Sequence, residues 1–264
     1  MVRGADKDPA RDGEGDGEGG RWVAYTDGGG TPLDAYVAGI SGPAVVVYHT
    51  AIGVHDAFIT GTCERLAREL GCVAVAVDLY GAGATVVDAE DKARRLAALR
   101  GDRLGTVARA EAGIALARAL PGVDASRGVA AVGYCLGGGI CMDLARSGAG
   151  GLAAAVSFHG VLGDASAELP LVEGCSATEC LVCHGRDDPY TPPAALDAFR
   201  RDMRTRGFDG DRLTVLEFSG VLHGFMRPEK VTQDDRAAGH FYDGDAAGDS
   251  WDAALALLRR ALQL

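Results

Sequence analysis

The chain has 264 residues, 47% of them hydrophobic, and a formal net charge of −11. That length supports one large hydrophobic core or at most two small ones, and the charge repels phosphate backbones and anionic lipid headgroups, which argues against nucleic-acid and membrane partners. No apolar run reaches membrane-spanning length, and seven cysteines in a chain too long to need staples fit free thiols in a reducing, cytoplasmic setting better than a secreted disulfide framework.

Residues 1–20 are rich in Gly, Asp and Glu and carry almost no large apolar side chain. They are expected to form a disordered acidic tail, since they cannot bury enough surface to offset the entropy of ordering, and residues 21–264 to form one domain. Trp22–Tyr25 and Leu33–Ile40 flank Asp27-Gly28-Gly29-Gly30, the pattern of an antiparallel hairpin at a sheet edge. Ala44–Tyr48 is a short apolar run. Ile59, Cys63, Leu66, Ala67 and Leu70 then recur at helical spacing, and Cys72–Leu79 is the next apolar run. A helix is expected over residues 103–120, stopped by Pro121-Gly122. A strand follows at Val129–Gly133, a helix at Gly137–Arg146, and strands at Ala153–Phe158 and Leu181–His184. The last elements are a helix from about Pro193 to Arg206, the strand Leu213–Phe218 and a helix from about Ser250. Buried β-branched runs alternating with amphipathic helices indicate an α/β fold: a mostly parallel central sheet with helices on both faces, in three layers. Ligands of such sheets bind beyond the carboxyl ends of the strands, so the residues just past each strand are the ones to inspect.

The strand Val129–Val132 runs into Gly133-Tyr134-Cys135-Leu136-Gly137, a G-x-C-x-G at a strand-to-helix junction. A nucleophile on so sharp a turn needs neighbours without side-chain bulk two residues either side. The helix starting there points free N–H groups at the sulfur and favours the thiolate. By composition the pattern would arise by chance about 0.15 times in a random chain, so its context matters. His184-Gly185-Arg186-Asp187-Asp188-Pro189 and Leu222-His223-Gly224-Phe225 each lie just past a predicted strand. The order Cys, Asp, His is the one a nucleophile elbow requires for a nucleophile, a tautomer-fixing carboxylate and a general base.

The stretches VDLYGAG, VGYCLGGG, VSFHGVL, LVCHGRDDPYTP, the HGF at His223 and FYDGDAAGDSW resemble the dienelactone hydrolase family over Tyr25–Leu264. The resemblance implies an α/β-hydrolase fold and hydrolysis of small carboxylic esters or lactones through a thioester acyl-enzyme, with Cys135 as nucleophile, His223 as base and Asp188, rather than Asp187, as its partner. It implies no metal and no organic cofactor. The partner is a small ester or lactone, with or without a free carboxylate, and the protein a monomer or weak homodimer. The oxyanion donors are expected to be the backbone N–H groups of Leu136 and Ala51. Thr50, Tyr134, His159 and Arg227 are expected around the substrate. Arg227 stands four residues past His223, where the family places an arginine for the substrate carboxylate; Arg94 or Arg95 is the candidate for a second. Thr50 stands where the family has a glutamate poised against the thiol. A broader acyl or thioester hydrolase, and a catalytically inactive ligand-binding member of the fold, remain the alternatives.

Cys175, Cys180 and Cys183 have metal-like spacing, but residues three apart in one strand point to opposite faces and cannot share an ion. Cys63, Cys72 and Cys141 read as small core hydrophobes. Asp143 and the charges of residues 88–103 read as solvated helix faces.

Overall fold

The computed structural model describes residues 19–148, 151–170 and 178–264. The expected tail therefore lies outside the described residues except at its last two positions, and so does Cys175.

The strands are β1 (Arg21–Thr26), β2 (Pro32–Ala38), β3 (Ala44–Tyr48), β4 (Val73–Val77), β5 (Val129–Tyr134), β6 (Leu152–Phe158), β7 (Glu179–Gly185) and β8 (Leu213–Phe218). They form one eight-stranded sheet in the order β1-β2-β4-β3-β5-β6-β7-β8. The β1–β2 hairpin and the β2–β4 pairing are antiparallel, and every pairing from β4 across to β8 is parallel. The helices are α1 (Ala57–Leu70), α2 (Ala89–Gly101), α3 (Arg103–Ala119), α4 (Leu136–Arg146), α5 (Pro193–Thr205), α6 (Gln233–Ala237) and α7 (Gly244–Ala261).

Period-two alternation divides the strand side chains between two cores. Val46, Val75, Ala131 and Val182 meet Ile114 of α3, Leu144 of α4 and Phe199 of α5 on one face. Val45, Val47, Val132 and Val156 meet Ile59 and Leu66 of α1 and Trp251 and Leu258 of α7 on the other. The result is the three-layer α/β architecture, with parallel strands buried on both sides. Cys180 belongs to the first core and Cys183 to the second, so they do face apart.

Two expectations need correction. The last helix begins at Gly244, because the Asp243 side chain accepts a hydrogen bond from Ala246 N and caps the helix where the text reads as a loop. Asp143 is not a solvated charge. It is only 7% exposed; Arg103 of α3 donates to both of its oxygens (2.8 and 2.9 Å), and the buried Arg146 lies 3.5 Å away.

Candidate active site

Cys135 sits between β5 and α4 with φ 55° and ψ −112°, a strained conformation for a residue with a Cβ, costing of order 1–3 kcal/mol. The flanking chain holds it there. Its N–H donates to Phe158 O (3.1 Å), its carbonyl accepts from Val161 N (3.1 Å), and Gly137 N donates to His49 O (3.1 Å). The loops after β3 and β6 thus clamp the turn. A Cβ on Gly133 would stand 2.1 Å from Gly137 O, and one on Gly137 would stand 2.1 Å from Tyr48 O. Both contacts are with backbone, which cannot move aside, so the two glycines of the motif are sterically required. Gly137→Ala should therefore destabilise the fold by about 3 kcal/mol, read as a lower urea midpoint; an unchanged midpoint would show that the turn opens freely.

The imidazole of His223, in the loop after β8, has its Nδ1 2.7 Å from Asp188 Oδ2. Asp188 is buried at 2% exposure, and its other oxygen accepts from Tyr190 N (2.8 Å). Asp187, one residue earlier, is exposed. The backbone of His223 is fixed on both sides: its N–H donates to Gly239 O (3.0 Å) and its carbonyl accepts from Phe241 N (3.0 Å).

Cys135 and His223 polarise each other. Burial raises the Cys135 thiol pKa, but the nearby His223 charge and the backbone N–H groups of Leu136 and Ala51 outweigh that, and the thiol is held below its ordinary value. Burial lowers His223, but the Cys135 sulfur and the Asp188 carboxylate outweigh it, and the imidazole is held above its ordinary value. The N–H groups of Leu136, at the start of α4, and of Ala51, in the loop after β3, both act to lower the Cys135 thiol pKa.

That second loop is fixed from inside. His49 Nε2 accepts from Leu79 N (3.2 Å) and its Nδ1 lies 2.6 Å from Thr50 O, an arrangement that a neutral, Nδ1-protonated imidazole satisfies. Thr50 Oγ1 accepts from Ile52 N (3.2 Å), and Tyr80 O–H donates to Ala51 O (3.1 Å). Thr50 is therefore a turn-forming side chain, 4% exposed, with no carboxylate to offer the thiol.

The remaining expected residues separate. His159 comes to the site: its ring packs edge-on against His223 with centroids 4.9 Å apart. It is 1% exposed, neither of its nitrogens has a hydrogen-bond partner among the described residues, and burial followed by the His223 charge keeps it neutral. Tyr134 meets the site only through the His159 ring, 5.9 Å away. Strand alternation sends its ring into the α1–α7 core, stacked on Phe158 (4.9 Å) and edge-on to Phe58 (4.9 Å). Arg227 reaches Thr50 Oγ1 (3.4 Å), but it pairs with Asp56 (2.6 Å) and with Glu229, and its guanidinium lies over the Phe58 ring. The carboxylates it meets are the chain's own. Arg94 and Arg95 both pair with Asp91; only Arg95 also faces a residue of the site, lying over the Tyr80 ring.

Two residues of the site are not singled out by the sequence. Tyr190 covers the His223 ring (4.7 Å); its hydroxyl donates to Ala238 O (3.0 Å) and lies 3.1 Å from His240 Nε2. Tyr80 anchors the loop after β3 through Ala51 O. Both stand just past a strand, inside the motifs DDPYTP and DLYGAG, so position is the one signal that points to them. His240, 5.1 Å from His223, is pushed down to about 4 by burial and by the His223 charge.

The dienelactone hydrolase family pattern matches residues 33–262. The solved structure of m3DLH is similar at 34% identity, covering 92% of this chain and 98% of that one with a TM-score of 0.81. A dienelactone hydrolase-like promiscuous phosphotriesterase from metagenomic libraries is similar at 32% identity, covering 92% and 98%, with a TM-score of 0.80. An uncharacterized protein of Caenorhabditis elegans is 32% identical over 153 residues, 58% of this chain and 92% of that protein.

Proposed function

Because this chain belongs to the dienelactone hydrolase family, we propose that it hydrolyses small carboxylic esters or lactones through Cys135, His223 and Asp188. The observation that carries the reading is Cys135 on a strained strand-to-helix turn (φ 55°), together with His223 backed by the buried Asp188 at 2.7 Å; the charge of His223 and the N–H groups of Leu136 and Ala51 all lower the thiol pKa of Cys135.

In the first half-reaction the Cys135 thiolate attacks the substrate carbonyl carbon, and the carbonyl π electrons move to oxygen, where the two N–H groups meet the developing charge. Collapse of the tetrahedral species breaks the C–O bond and the His223 imidazolium gives its proton to the leaving alkoxide, which in a lactone stays tethered to the acyl group. The product is a thioester on Cys135. In the second half, His223 takes a proton from water as the hydroxyl adds to the thioester; carbon–sulfur cleavage releases the acid and restores the thiolate–imidazolium pair. Asp188 fixes the tautomer throughout. A phosphotriester is a second substrate class: one structural relative is described as a phosphotriesterase, and two N–H donors can hold a phosphoryl oxygen as they hold a carbonyl oxygen. A panel of p-nitrophenyl esters, lactones, thioesters and an aryl phosphotriester, run beside Cys135→Ala, tests the reading. Turnover surviving in the variant would end it.

The resting state follows from Thr50. With no glutamate in that loop to compete for His223, the thiolate–imidazolium pair forms before substrate arrives. As pH falls through the lowered thiol pKa, the thiolate is protonated and alkylation slows. The iodoacetamide rate at Cys135 should thus show its inflection well below the value of about 8.5 for a free cysteine. An inflection at or above that value would contradict a pre-ionised pair, and Thr50→Glu should slow alkylation of the free enzyme.

A further inference from the structure

One face of α4 presents Leu136, Gly139, Ile140 and Asp143 at helical spacing, and these line a cavity of about 300 Å³. Its opposite walls come from the α2–α3 junction and from Val161–Gly163 after β6. Two lining residues also touch the nucleophile through their backbones: the Leu136 N–H is directed at the Cys135 sulfur, and Val161 N donates to Cys135 O (3.1 Å). The cavity therefore adjoins two backbone neighbours of Cys135.

Its chemistry is readable. Leu99, Ile140 and Leu162 form a buried apolar wall. Two turns along α4 from Leu136, the Arg103 guanidinium is held by both oxygens of Asp143 (2.8 and 2.9 Å) and pairs with Glu168, so its charge is already met. Arg100 stands at the wall but is exposed to solvent. None of the lining comes from the loops that carry Asp188 and His223. A leaving group must face His223 to be protonated, so the part of the substrate on this side is the acyl part.

We propose that this cavity is the acyl subsite and that it takes an uncharged, unbranched acyl chain. At about 30 Å³ for a water-sized group, its volume accommodates roughly six to ten carbons. The assignment rests on Cys135 being the nucleophile of an ester hydrolase, and it makes medium-chain acyl esters the preferred substrate class. Each methylene that leaves water for this wall adds binding that a shorter chain lacks.

The test holds the leaving group constant and varies the acyl chain: p-nitrophenyl acetate, butyrate and octanoate, and the p-nitrophenyl monoester of octanedioic acid. The kcat/KM for octanoate should exceed that for acetate at least tenfold, and the dioic monoester should be slower than octanoate. A Cβ at Gly163 meets no atom within 4 Å, so Gly163→Phe can place its ring in the cavity without displacing the backbone. The octanoate-to-acetate ratio should fall at least tenfold. If that variant does not fold, Ile140→Ala, which lengthens the cavity, should raise the dodecanoate-to-octanoate ratio. Equal rates on acetate and octanoate, or an unmoved ratio in the folded variant, would put the acyl chain elsewhere while ester hydrolysis stood. A faster dioic monoester would make Arg100 a carboxylate partner and overturn the uncharged chain. Absence of turnover on every ester by folded protein would overturn the hydrolase reading as well.

Discussion

Cys135→Ala should lower kcat/KM on p-nitrophenyl butyrate by at least roughly ten-thousand-fold, the scale on which removing a nucleophile acts when its partners work as a unit. The circular dichroism spectrum should not change. The Cys135 side chain is partly exposed at the turn and makes no contribution to either hydrophobic core, so its loss leaves packing intact. Removing the sulfur leaves the Leu136 and Ala51 N–H groups in place, and the small residual rate they support is the floor expected for the variant. Cys135→Ser should be impaired almost as severely. A hydroxyl in the same place ionises far less readily, and the charge pairing that holds the thiol pKa down acts on a group too basic to respond. Turnover within tenfold of the wild type in Cys135→Ala would place the nucleophile on another side chain.

The second large effect separates two adjacent aspartates. Asp188→Asn should reduce kcat by roughly a thousand- to ten-thousand-fold, whereas Asp187→Asn should change it less than about twofold. Asp188 is buried with one oxygen on His223 Nδ1 (2.7 Å) and the other on Tyr190 N (2.8 Å). An amide there can present its NH₂ to Nδ1, which then accepts; the proton moves to Nε2, and the imidazole loses its ability to take the thiol proton. Asp187 is exposed, and its change alters a surface charge. The pH profile adds a readout that loss of packing alone would not give. The carboxylate is one of the groups that raise His223, so in Asp188→Asn the imidazolium should lose its proton at lower pH, and the alkaline limb of kcat should move down. Equal effects of the two substitutions would show the carboxylate misassigned.

Much of the fold is legible in the amino-acid sequence. Runs such as Ala44–Tyr48 and Val129–Gly133 identify buried parallel strands because β-branched residues with no polar alternation have nowhere else to go. The element boundaries drift where a side chain closes a helix end, as Asp243 does before Gly244. The elbow is readable because its requirement is local: Gly133 and Gly137 are four residues apart, and the clash that forbids a Cβ on Gly133 is with Gly137 itself.

What the sequence determined by itself was thus everything set by near-neighbour sterics and solvation: the alternation of strands and helices, the sharp turn at Cys135, and the order of Cys, Asp and His along strand ends. Only the tertiary structure decided which side chains share a space. Asp188 rather than Asp187 reaches His223 because the turn after β7 buries one carboxylate and turns the other to solvent. Arg227 is met by Asp56, which stands 171 residues earlier in the chain, and Tyr134 is turned into the core although it adjoins Cys135. Ion pairs and ring contacts of this kind depend on the order in which strands are laid into the sheet, and a charge or a ring in the text carries no record of the partner that the sheet will bring to it.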